Sequence, residues 1–300
     1  MKVDRLLGDE RERVEAALKR LLPGNTAWPE RLHDAMAHAV LAGGKRIRPI
    51  LARLAFEAAG GDSNEINEAA CGLELIHTYS LVHDDLPALD NDSLRRGQPT
   101  IHVAYDEATA ILVGDALLTE GLLLLASYPA GDQWAARRAD ATAMVAEAIS
   151  SRGMIGGQME DLEATGQVAT ASGDPEVRLE RIHRHKTGCL LRASVELGAI
   201  LAGVGPDERQ RFVTFGEDLG FAFQVSDDLL DATASADDIG KSPGKDEAAG
   251  KLTFVTLYGV EATRQKLDEL EEKLALGARQ IEGPDGKLGA IAQFVCRRQS

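Results

Sequence analysis

Two clusters of aspartates stand out in the sequence because each follows a strongly apolar stretch. The first is Asp84-Asp85-Leu86-Pro87-Ala88-Leu89-Asp90, and the second is Asp227-Asp228-Leu229-Leu230-Asp231. Carboxylates at the ends of buried helices repel one another and lose hydration, so a cation is needed among them. Oxygen ligands without nearby cysteine and with few histidines favour Mg²⁺ over zinc. The sequence therefore predicts a magnesium-dependent site.

The second cluster places its carboxylates on one side of a predicted helix. Asp227 and Asp231 are four residues apart, so a helix brings both to the same face, with Asp228 beside them. Like charges at this spacing destabilise a helix unless a cation lies between them. A solvated acidic helix end is the alternative, but the residues directly before it, Phe221-Ala222-Phe223-Gln224-Val225, are largely apolar. The pattern therefore favours a metal-binding helix.

The first cluster contains a proline that should end the preceding helix. Pro87 disfavours helical geometry at Leu86, so Asp84 and Asp85 are predicted to lie on the last helical turn. Asp90 then returns from the following turn to complete the site. A surface loop without metal is the alternative, and the presence of the second cluster argues against it.

Two basic segments are placed where they could bind anions. Gly43-Gly44-Lys45-Arg46-Ile47-Arg48-Pro49 brings three cations to a predicted helix start, where backbone N–H groups also converge. Arg95-Arg96-Gly97 follows the first acidic cluster, and arginine favours bidentate contact with phosphate oxygens. A diphosphate carries about three negative charges, and two like charges 4 Å apart repel by roughly 4 kcal/mol at an effective dielectric of about 20. The sequence therefore fits two phosphorylated groups, one held through metal and one mainly through cations.

The composition limits the classes of partner and compartment. A formal net charge of −15 over 300 residues argues against nucleic acid or an anionic membrane surface as a general partner. Cys71, Cys189 and Cys296 lie far apart and lack CxxC spacing. They favour a reduced compartment over a disulfide framework or a metal knuckle.

Two segments bear on membrane attachment. Residues 1–22 alternate charge with apolar residues, which predicts an amphipathic helix rather than a signal peptide. Residues 108–128 form the longest apolar region, but they contain Asp115 and Glu120 and predict a buried core helix rather than a membrane span. We therefore expect a cytoplasmic protein without a stable membrane anchor.

Helical periodicity extends over most of the chain. Apolar residues recur at three- and four-residue spacing in residues 11–22, 32–41, 49–59, 65–82, 106–127, 133–151, 175–202, 207–230, 253–276 and 288–298. No stretch shows sustained alternation with β-branched residues, so no sheet is predicted. The predicted fold class is all-α, with residues 1–300 forming a single domain.

One segment lacks a periodic apolar face. Residues 232–250 are rich in Asp, Gly, Ser and Lys, follow the second acidic cluster directly and carry Lys241 and Lys245. A mobile lid beside a charged site is the favoured interpretation, and an ordinary helix connection is the alternative.

These motifs, in this order, resemble the trans-polyprenyl diphosphate synthases, and among them the bacterial-type farnesyl diphosphate synthases. The resemblance covers almost the whole chain. It is carried by GGKRIRP (43–49), HTYSLVHDDLPALDNDSLRRGQPTIH (77–102), GDALLTE (114–120), GGQMEDL (156–162), HKTGCLLRASVELGA (185–199), FQVSDDLLD (223–231) and DDIGKSPGKD (237–246). One departure is Lys251-Leu252-Thr253-Phe254-Val255, where the family often has a proline, so the motif does not itself predict a helix start there.

The resemblance implies an architecture, a cofactor and partners. The family forms a single large all-α bundle around a central active-site cavity, the isoprenoid synthase-like fold, and is usually a homodimer. Its cofactor is Mg²⁺, with three ions expected in each active site. Its substrates are isopentenyl diphosphate and allylic diphosphates.

The resemblance also implies roles for individual residues. The metal ligands are expected to be Asp84 and Asp90, with Asp85 as neighbour, and Asp227, helped by Asp228 and Asp231. The isopentenyl diphosphate pocket is expected to consist of Lys45, Arg48, His77 and Arg96. The allylic diphosphate side, which includes the catalytic groups, is expected to consist of Arg95, Lys186, Thr187, Gln224 and Lys241. Gln158 and Asp161 are expected to support these residues.

The implied reaction is ionisation, condensation and elimination, and the product length depends on the helix before the first cluster. The face toward the site is predicted to run through Ser80, Tyr79 and Ile76. Tyr79 precedes Asp84 by five residues, about 7.5 Å along a helix. A ring there would block a growing tail, although simple core packing is the alternative. With the two-residue enlargement Pro87-Ala88, the pattern resembles the fifteen-carbon, farnesyl product class.

Other functions are compatible with parts of the pattern. A geranylgeranyl or geranyl diphosphate synthase would use the same chemistry. A non-catalytic subunit of a heteromeric synthase would be expected to lose carboxylates from one acidic motif, whereas this chain keeps both. A terpene cyclase binds one diphosphate and would not need a second pocket around Lys45, Arg48 and Arg96.

Overall fold

Helices make up nearly all of the regular structure, which confirms the all-α prediction. The computed structural model describes residues 3–24, 27–166, 168, 173–233 and 252–298. The helices are α1 (Val3–Leu21), α2 (Glu30–Leu41), α3 (Ile47–Ala58), α4 (Asn67–Asp84), α5 (Ile101–Ala104), α6 (Glu107–Ser127), α7 (Ala135–Ile149), α8 (Met154–Ala164), α9 (Pro175–Ile182), α10 (Cys189–Ala202), α11 (Pro206–Thr233), α12 (Phe254–Glu282) and α13 (Lys287–Arg297). Short 3₁₀ turns occupy Ser63–Ile66 and Asp132–Trp134.

Internal packing divides the chain into two compact units, Met1–Ala143 and Met144–Ser300. The boundary falls within α7. The prediction of a single domain over residues 1–300 stays a prediction. Most of the predicted lid, residues 234–250, lies outside the described residues.

The prediction that the chain contains no sheet is wrong in one small place. Leu94–Arg95 (β1) and Gln98–Pro99 (β2) form an antiparallel hairpin in which Leu94 pairs with Pro99. Both residues of the connecting turn have positive φ, 54° at Arg96 and 76° at Gly97, as a tight two-residue hairpin turn requires. Strands of two residues are too short to show alternation, which is why the sequence did not reveal them.

Helix α4 is the central element of the first unit. Its side chains are buried on nearly every side, including Leu73, Ile76 and Val82, and it packs against α6, α3 and α1. At the contact with α6, a Cβ atom on Gly72 would lie 2.7 Å from the carbonyl oxygen of Gly121. The two helices therefore approach closely because both residues lack side chains.

Helix α1 joins this unit through apolar and charged contacts. Val14 and Leu18 are buried, while Glu10 pairs with the fully buried Arg53 at 2.7 Å. Arg53 also donates to the carbonyl oxygen of Ser63, also at 2.7 Å. A buried charge of this kind is tolerated only when it is paired and hydrogen-bonded, so α1 has an electrostatic role as well as an apolar one.

In the second unit, α11 packs against α10 and α12 through buried aromatic and aliphatic residues such as Phe212, Phe215 and Leu219. Helix α12 begins at Phe254 despite the missing proline. Thr253 and Thr256 form a reciprocal capping box there, which satisfies backbone N–H groups that the start of a helix would otherwise leave unpaired.

The predicted helix over residues 175–202 is interrupted by one irregular turn. Residues His183–Gly188 form a π-helical segment between α9 and α10. Such turns contain one residue more than regular helix and occur often at functional sites. Helix α8, which the periodicity did not predict, packs beside this segment.

Candidate functional site

The first acidic motif ends α4 as the sequence predicted. Asp84 is the last helical residue and Asp85 caps the helix. The backbone N–H of Asp90 donates to the carbonyl oxygen of Asp84 at 2.9 Å, so the loop does return to the helix end. Asp84 and Asp90 are partly exposed, whereas only 4% of Asp85 is exposed. The two predicted metal ligands therefore lie together at the surface of the motif.

Arg95 binds within the acidic motif. Its Nη2 atom lies 2.5 Å from Oδ1 of Asp85 and 3.3 Å from Oδ2 of Asp92. Burial works to lower the pKa of Arg95, but the two carboxylates outweigh it and raise that pKa. The guanidinium is therefore charged, and it pairs with the buried Asp85.

Arg96 packs on the loop that precedes α3. Its Nη1 atom donates to the carbonyl oxygen of Gly43, and a Cβ atom on Gly44 would lie 2.7 Å from its Cζ atom. Gly44 has a φ of 136°, a conformation that only glycine adopts readily. These contacts bring the two basic segments of the sequence into one group.

Glu74 and Arg46 form the buried base of this group. Arg46, in a left-handed conformation before α3, donates to Glu15 at 2.7 Å, to Glu74 at 2.6 Å and to the carbonyl oxygen of Val40 at 2.6 Å. Glu74 also lies 3.7 Å from Nη2 of Arg96. Burial alone would lower the pKa of Arg46, but Glu74 and Glu15 outweigh it and raise that pKa.

His77 lies one helical turn after Glu74 on α4. Its pKa is lowered well below 6.5, first by burial and then by the charges of Arg48 and Arg96, with Arg46 and Arg95 contributing less. His77 is therefore neutral between the arginines and can donate one ring N–H to an anion. Lys45, on the loop that carries Arg46 and Arg48, is exposed. We call Lys45, Arg48, His77 and Arg96 the cation pocket.

The helix face before Asp84 carries Tyr79 and His83. Tyr79 is 6% exposed, and its ring meets the ring of His83 edge to face at a centroid distance of 5.8 Å. Burial and the charge of Asp84 raise the pKa of Tyr79 to about 12. A Cβ atom on Gly114 would collide with the His83 ring, so α6 closes tightly over this face.

The other two predicted chain-length residues have different surroundings. Ile76 is fully buried, and its Cγ1 atom would lie 2.7 Å from a Cβ on Gly121 of α6. Ser80 is partly exposed, and its hydroxyl donates to the carbonyl oxygen of His77 at 2.9 Å. Ile76 thus supports the α4–α6 contact, while Tyr79 lies nearer the acidic motif.

In the second unit, Lys186 and Thr187 lie in the π-helical turn. Nζ of Lys186 lies 2.5 Å from Oδ2 of Asp161 on α8. A Cβ on Gly157 would collide with the backbone N of Lys186, and one on Gly220 would lie 2.8 Å from Cα of Gly188. The π-helical turn therefore packs closely against α8 and α11, because each of these helices has a glycine at the point of contact. Nε2 of Gln158 is buried and has no hydrogen-bond partner among the described residues.

The second acidic motif separates one buried carboxylate from two partly exposed ones. Asp228 is 5% exposed and accepts from the backbone N–H of Phe254 at 2.7 Å and from Nε2 of Gln224 at 3.3 Å. Nε2 of His183 lies 3.3 Å from Oδ2 of Asp228. Asp227 and Asp231 are partly exposed on α11. Lys241, the remaining predicted allylic-side residue, lies outside the described residues.

Arg298 contacts the same motif from beyond α13. Its Nη2 atom lies 2.6 Å from Oδ1 of Asp227 and 2.7 Å from the carbonyl oxygen of Phe223, and its Nε donates to Ser226 at 3.0 Å. Its Cζ atom lies 4.0 Å from the centre of the Phe223 ring. Burial lowers the pKa of Arg298 although the charge of Asp227 opposes this.

Comparison with known proteins decides the family. The model of the polyprenyl synthetase family matches residues 29–283. The chain belongs to the polyprenyl synthetase family.

Relatives with different product names align along almost all of this polyprenyl synthetase. The farnesyl diphosphate synthase of Geobacillus stearothermophilus is 38% identical, covering 99% of this chain and 98% of its own. The chloroplastic heterodimeric geranylgeranyl pyrophosphate synthase large subunit 1 of Arabidopsis thaliana is 42% identical, covering 96% and 77%. The apo crystal structure of an FPP/GFPP synthase from Zymomonas mobilis has a TM-score of 0.85, with 31% identity and 98% coverage of both chains. These similarities confirm the isoprenoid synthase-like fold class.

The carboxylates of both acidic motifs fit the family's use of Mg²⁺. Within the described residues, no three His, Cys, Asp or Glu side chains are arranged to hold a metal ion by themselves. Mg²⁺ usually keeps several waters and binds through one or two carboxylates plus substrate phosphates. Asp84 with Asp90, and Asp227 with Asp231, each supply two partly exposed carboxylates, so this donor set suits Mg²⁺ shared with a diphosphate.

Sequence reasoning missed several residues that organise both sites. Glu15, Glu74, His183 and Arg298 received no role because none of them lies within the acidic or basic motifs of the sequence. Their partners are distant in sequence; Arg298, for example, lies 71 residues from Asp227. The available signal was a charged residue on the apolar side of a helix, as at Glu74 in α4.

Proposed function

We propose that this polyprenyl synthetase is a short-chain trans-prenyltransferase that condenses isopentenyl diphosphate with dimethylallyl or geranyl diphosphate to give farnesyl diphosphate. The carrying observation is the cation pocket in the first unit, where Arg96 donates to the loop that leads to Arg48, and burial with the charges of Arg48 and Arg96 lowers the pKa of His77. This arrangement suits two diphosphates, one bound directly by side-chain cations and the other bound through Mg²⁺ at the acidic motif.

The cation pocket supports binding of isopentenyl diphosphate without metal. Lys45, Arg48 and Arg96 offer charged donors to the diphosphate oxygens, and His77 adds a neutral N–H donor. Charge-assisted hydrogen bonds are roughly twice as strong as neutral ones, so this pocket holds a trianion well. Because Arg46 lies between Glu15 and Glu74, it orients the pocket rather than binding the anion.

The second unit supports the allylic side of the reaction. The carbonyl and hydroxyl dipoles of Lys186, Thr187 and Gln224 can stabilise the allylic cation left when diphosphate departs. Mg²⁺, with three ions proposed in each active site, would be held by Asp84 and Asp90 of the first acidic motif and by Asp227 of the second, and it would supply positive charge to the leaving diphosphate. The double bond of isopentenyl diphosphate then attacks the cation, and a proton is lost, with the released diphosphate as its acceptor. Lys241 is proposed to bind the same diphosphate.

Tyr79 supports the farnesyl assignment. Its ring is buried and packs on His83. We propose that it blocks a lengthening tail. Geranylgeranyl diphosphate is the second candidate product, because relatives of 40–42% identity are named geranylgeranyl synthases. A non-catalytic subunit is disfavoured because both acidic motifs are intact, and a terpene cyclase would not need the cation pocket.

Incubation with isopentenyl diphosphate, each allylic primer and Mg²⁺, followed by sizing of the products, tests this function. We expect fifteen-carbon product from both primers, and loss of turnover in Asp84→Ala and Asp227→Ala. Asp9→Ala is the matched control, because Asp9 is exposed in α1 and pairs only loosely with Arg5 at 3.9 Å. Retained turnover in both motif variants would refute the metal assignment, and absence of any condensation would refute the function.

We also propose a homodimer that uses α6. This helix is apolar enough to span a membrane by length and composition, with a mean hydropathy of 1.8, yet 39% of that window is buried inside the chain. Its other side exposes Ile111, Leu112 and Leu123 at 47%, 57% and 55%. An apolar face of this kind, bearing few charges, suits a second copy of the chain.

Light scattering after gel filtration tests the dimer. Leu112→Glu and Leu123→Glu should give monomer, whereas Leu276→Glu, at a residue 58% exposed on α12, should leave the mass unchanged. A monomeric parent protein would contradict the proposal.

A cytoplasmic location is proposed from the isolated cysteines and the charge of −15. Recovery of the protein in the membrane fraction would refute it.

A further inference from the structure

The buried carboxylate of the second acidic motif has partners that a metal ligand would not need. Oδ2 of Asp228 accepts from the backbone N–H of Phe254 at 2.7 Å and lies 3.3 Å from Nε2 of His183. Its Oδ1 accepts from Nε2 of Gln224 at 3.3 Å. Both oxygens are therefore engaged by protein donors, and 5% of the residue is exposed. Asp227, one residue earlier, has a side chain that is 44% exposed.

These partners come from three separate elements. Gln224 lies one turn before Asp228 on α11, His183 opens the π-helical turn that carries Lys186 and Thr187, and Phe254 begins α12. Asp228 therefore connects three elements: α11, on which it lies, the start of α12, and the π-helical turn that carries Lys186 and Thr187. A carboxylate with this many donors is fixed in one orientation.

His183 is buried between aromatic rings at this junction. Its ring stacks on Phe254 with an interplanar angle of 21° and lies 6.2 Å from the ring of Phe221. Nδ1 of His183 is buried and has no hydrogen-bond partner among the described residues. The ring therefore contributes one polar contact, through Nε2 to Asp228, inside an otherwise aromatic environment.

The chemistry of a carboxylate determines how the Gln224 amide is oriented. An ionised carboxylate accepts hydrogen bonds but donates none, so the Gln224 atom that faces Asp228 must be Nε2. The carbonyl oxygen Oε1 is then the end of the amide available to a ligand. An oxygen carries the negative end of the amide dipole, which is the end that stabilises a cation.

We propose that Asp228 is a positioning residue that fixes the Gln224 amide with its carbonyl oxygen available to the allylic cation, and that it does not bind metal. The inference rests on the proposed prenyl transfer and refines the second acidic motif. His183 and the Phe254 N–H hold Asp228 in place, and Asp227 and Asp231 remain as the carboxylates of this motif that are accessible to metal.

Asp228→Asn tests the proposal because it reverses one hydrogen bond without changing shape. The asparagine oxygen can still accept from Phe254, which leaves its NH₂ group facing Gln224. The Gln224 amide must then turn over and present its own NH₂ group to the cation. We expect kcat to fall about tenfold or more, as when one oriented dipole is lost from a site, with both KM values within about twofold.

A double-mutant cycle shows whether the effect passes through Gln224. In a Gln224→Met background there is no amide to turn, so Asp228→Asn should lower kcat by less than about twofold. An equal loss of kcat in both backgrounds would overturn the proposal. If Asp228→Asn does not fold, Gln224→Met alone decides: a loss in kcat with unchanged KM supports the role, and unchanged kcat overturns it.

Metal binding separates Asp228 from its neighbour. Calorimetric titration with Mn²⁺ and inorganic pyrophosphate should show about tenfold weaker binding for Asp227→Asn and a change within about twofold for Asp228→Asn. Equal weakening in the two variants would make Asp228 a ligand and overturn the proposal. Failure of the proposed function is distinguishable, because it would appear as no product from the parent protein before any variant is compared.

Replacing His183 supplies a test by conservative rescue. His183→Phe fits the aromatic surroundings but removes the Nε2–H donor, whereas His183→Gln keeps a donor at similar reach. Hydrogen exchange of the Phe254 amide should be faster in His183→Phe and close to the parent rate in His183→Gln. We expect kcat to follow the same order. Identical behaviour of the two variants would overturn this part of the assignment.

Discussion

Nη2 of Arg298 lies 2.6 Å from Oδ1 of Asp227, so the predicted metal ligand of the second acidic motif is paired with an internal cation. The Arg298 side chain is 3% exposed, whereas that of Asp227 is 44% exposed. The guanidinium therefore approaches the carboxylate from the protein side and leaves its other side toward solvent. A metal ion that binds Asp227 has to share this carboxylate with Arg298.

Replacing Arg298 should strengthen metal binding at this motif. Arg298→Gln removes a positive charge that competes with the metal ion for Asp227. After solvent screening, this competition is worth about 1 kcal/mol, so the affinity for Mn²⁺ should rise about fivefold. Titration with Mn²⁺ measures this. Arg297→Gln is the matched control, since it removes the same charge from an exposed pair with Glu271. Weaker Mn²⁺ binding in Arg298→Gln than in Arg297→Gln would contradict the expectation.

Removing the charge of Glu74 should destabilise the first unit. Glu74→Gln leaves the buried Arg46 and its neighbour Arg96 with less compensation, and breaking a buried pair costs about 3 kcal/mol or more. The KM for isopentenyl diphosphate should rise as well. Urea unfolding and steady-state kinetics measure the two effects. The control is Glu68→Gln, since Glu68 lies on α4 like Glu74 but pairs more loosely, at 3.6 Å, with Arg20 of α1. This variant should lower the free energy of unfolding by less than about 1 kcal/mol. Equal losses in both variants would show that the buried pair has no special role.

The lowered pKa of His77 predicts a pH dependence of stability. Below pH 6.5 the unfolded chain binds a proton at His77 that the folded chain does not, so the free energy of unfolding falls as pH falls through that value. This contribution is fully present above pH 6.5 and declines by at most about 1 kcal/mol between pH 6.5 and 5.5. Urea unfolding at several pH values should show it in the parent and not in His77→Gln. Parallel curves for the two proteins would disprove the charge environment described for His77.

Shortening the side chain at Tyr79 should lengthen the product. Tyr79→Ala removes a buried ring that packs on His83, so a fifteen-carbon tail could extend further before it is blocked. Product sizing should show twenty-carbon or longer chains. Tyr79→Phe keeps the ring and should keep the parent product, because the phenol, with its pKa raised to about 12, stays neutral. Unchanged product length in Tyr79→Ala would refute this role.

The sequence predicted elements whose cause is local. Pro87 ended α4, and the helical periodicity predicted from residues 175 and 207 begins close to the first residues of α9 and α11. The acidic and basic motifs could be found for the same reason, since each is a short run of residues with one chemical character.

The features that the sequence did not predict depend on distant partners. Arg46 looked like one more cation of its motif, but its contacts with Glu15 and Glu74 make it a buried support. The separation of Asp227 from Asp228 into exposed and buried carboxylates depends on His183 and Arg298. Spacing along one helix placed both acids near one face, but it could not show which of them the rest of the unit would cover.

The single irregular turn at His183–Gly188 has a consequence for how this chain can vary. A π-helical turn holds one residue more than an α-helical one, so deleting any one of its residues would restore regular helix. The later residues of α10 would keep nearly their present orientation, because the wide turn takes up its extra residue locally, but Lys186 and Thr187 would lose the irregular backbone that now carries them. A single deletion in this turn should therefore leave the packing of α10 intact and change only the position of these two residues.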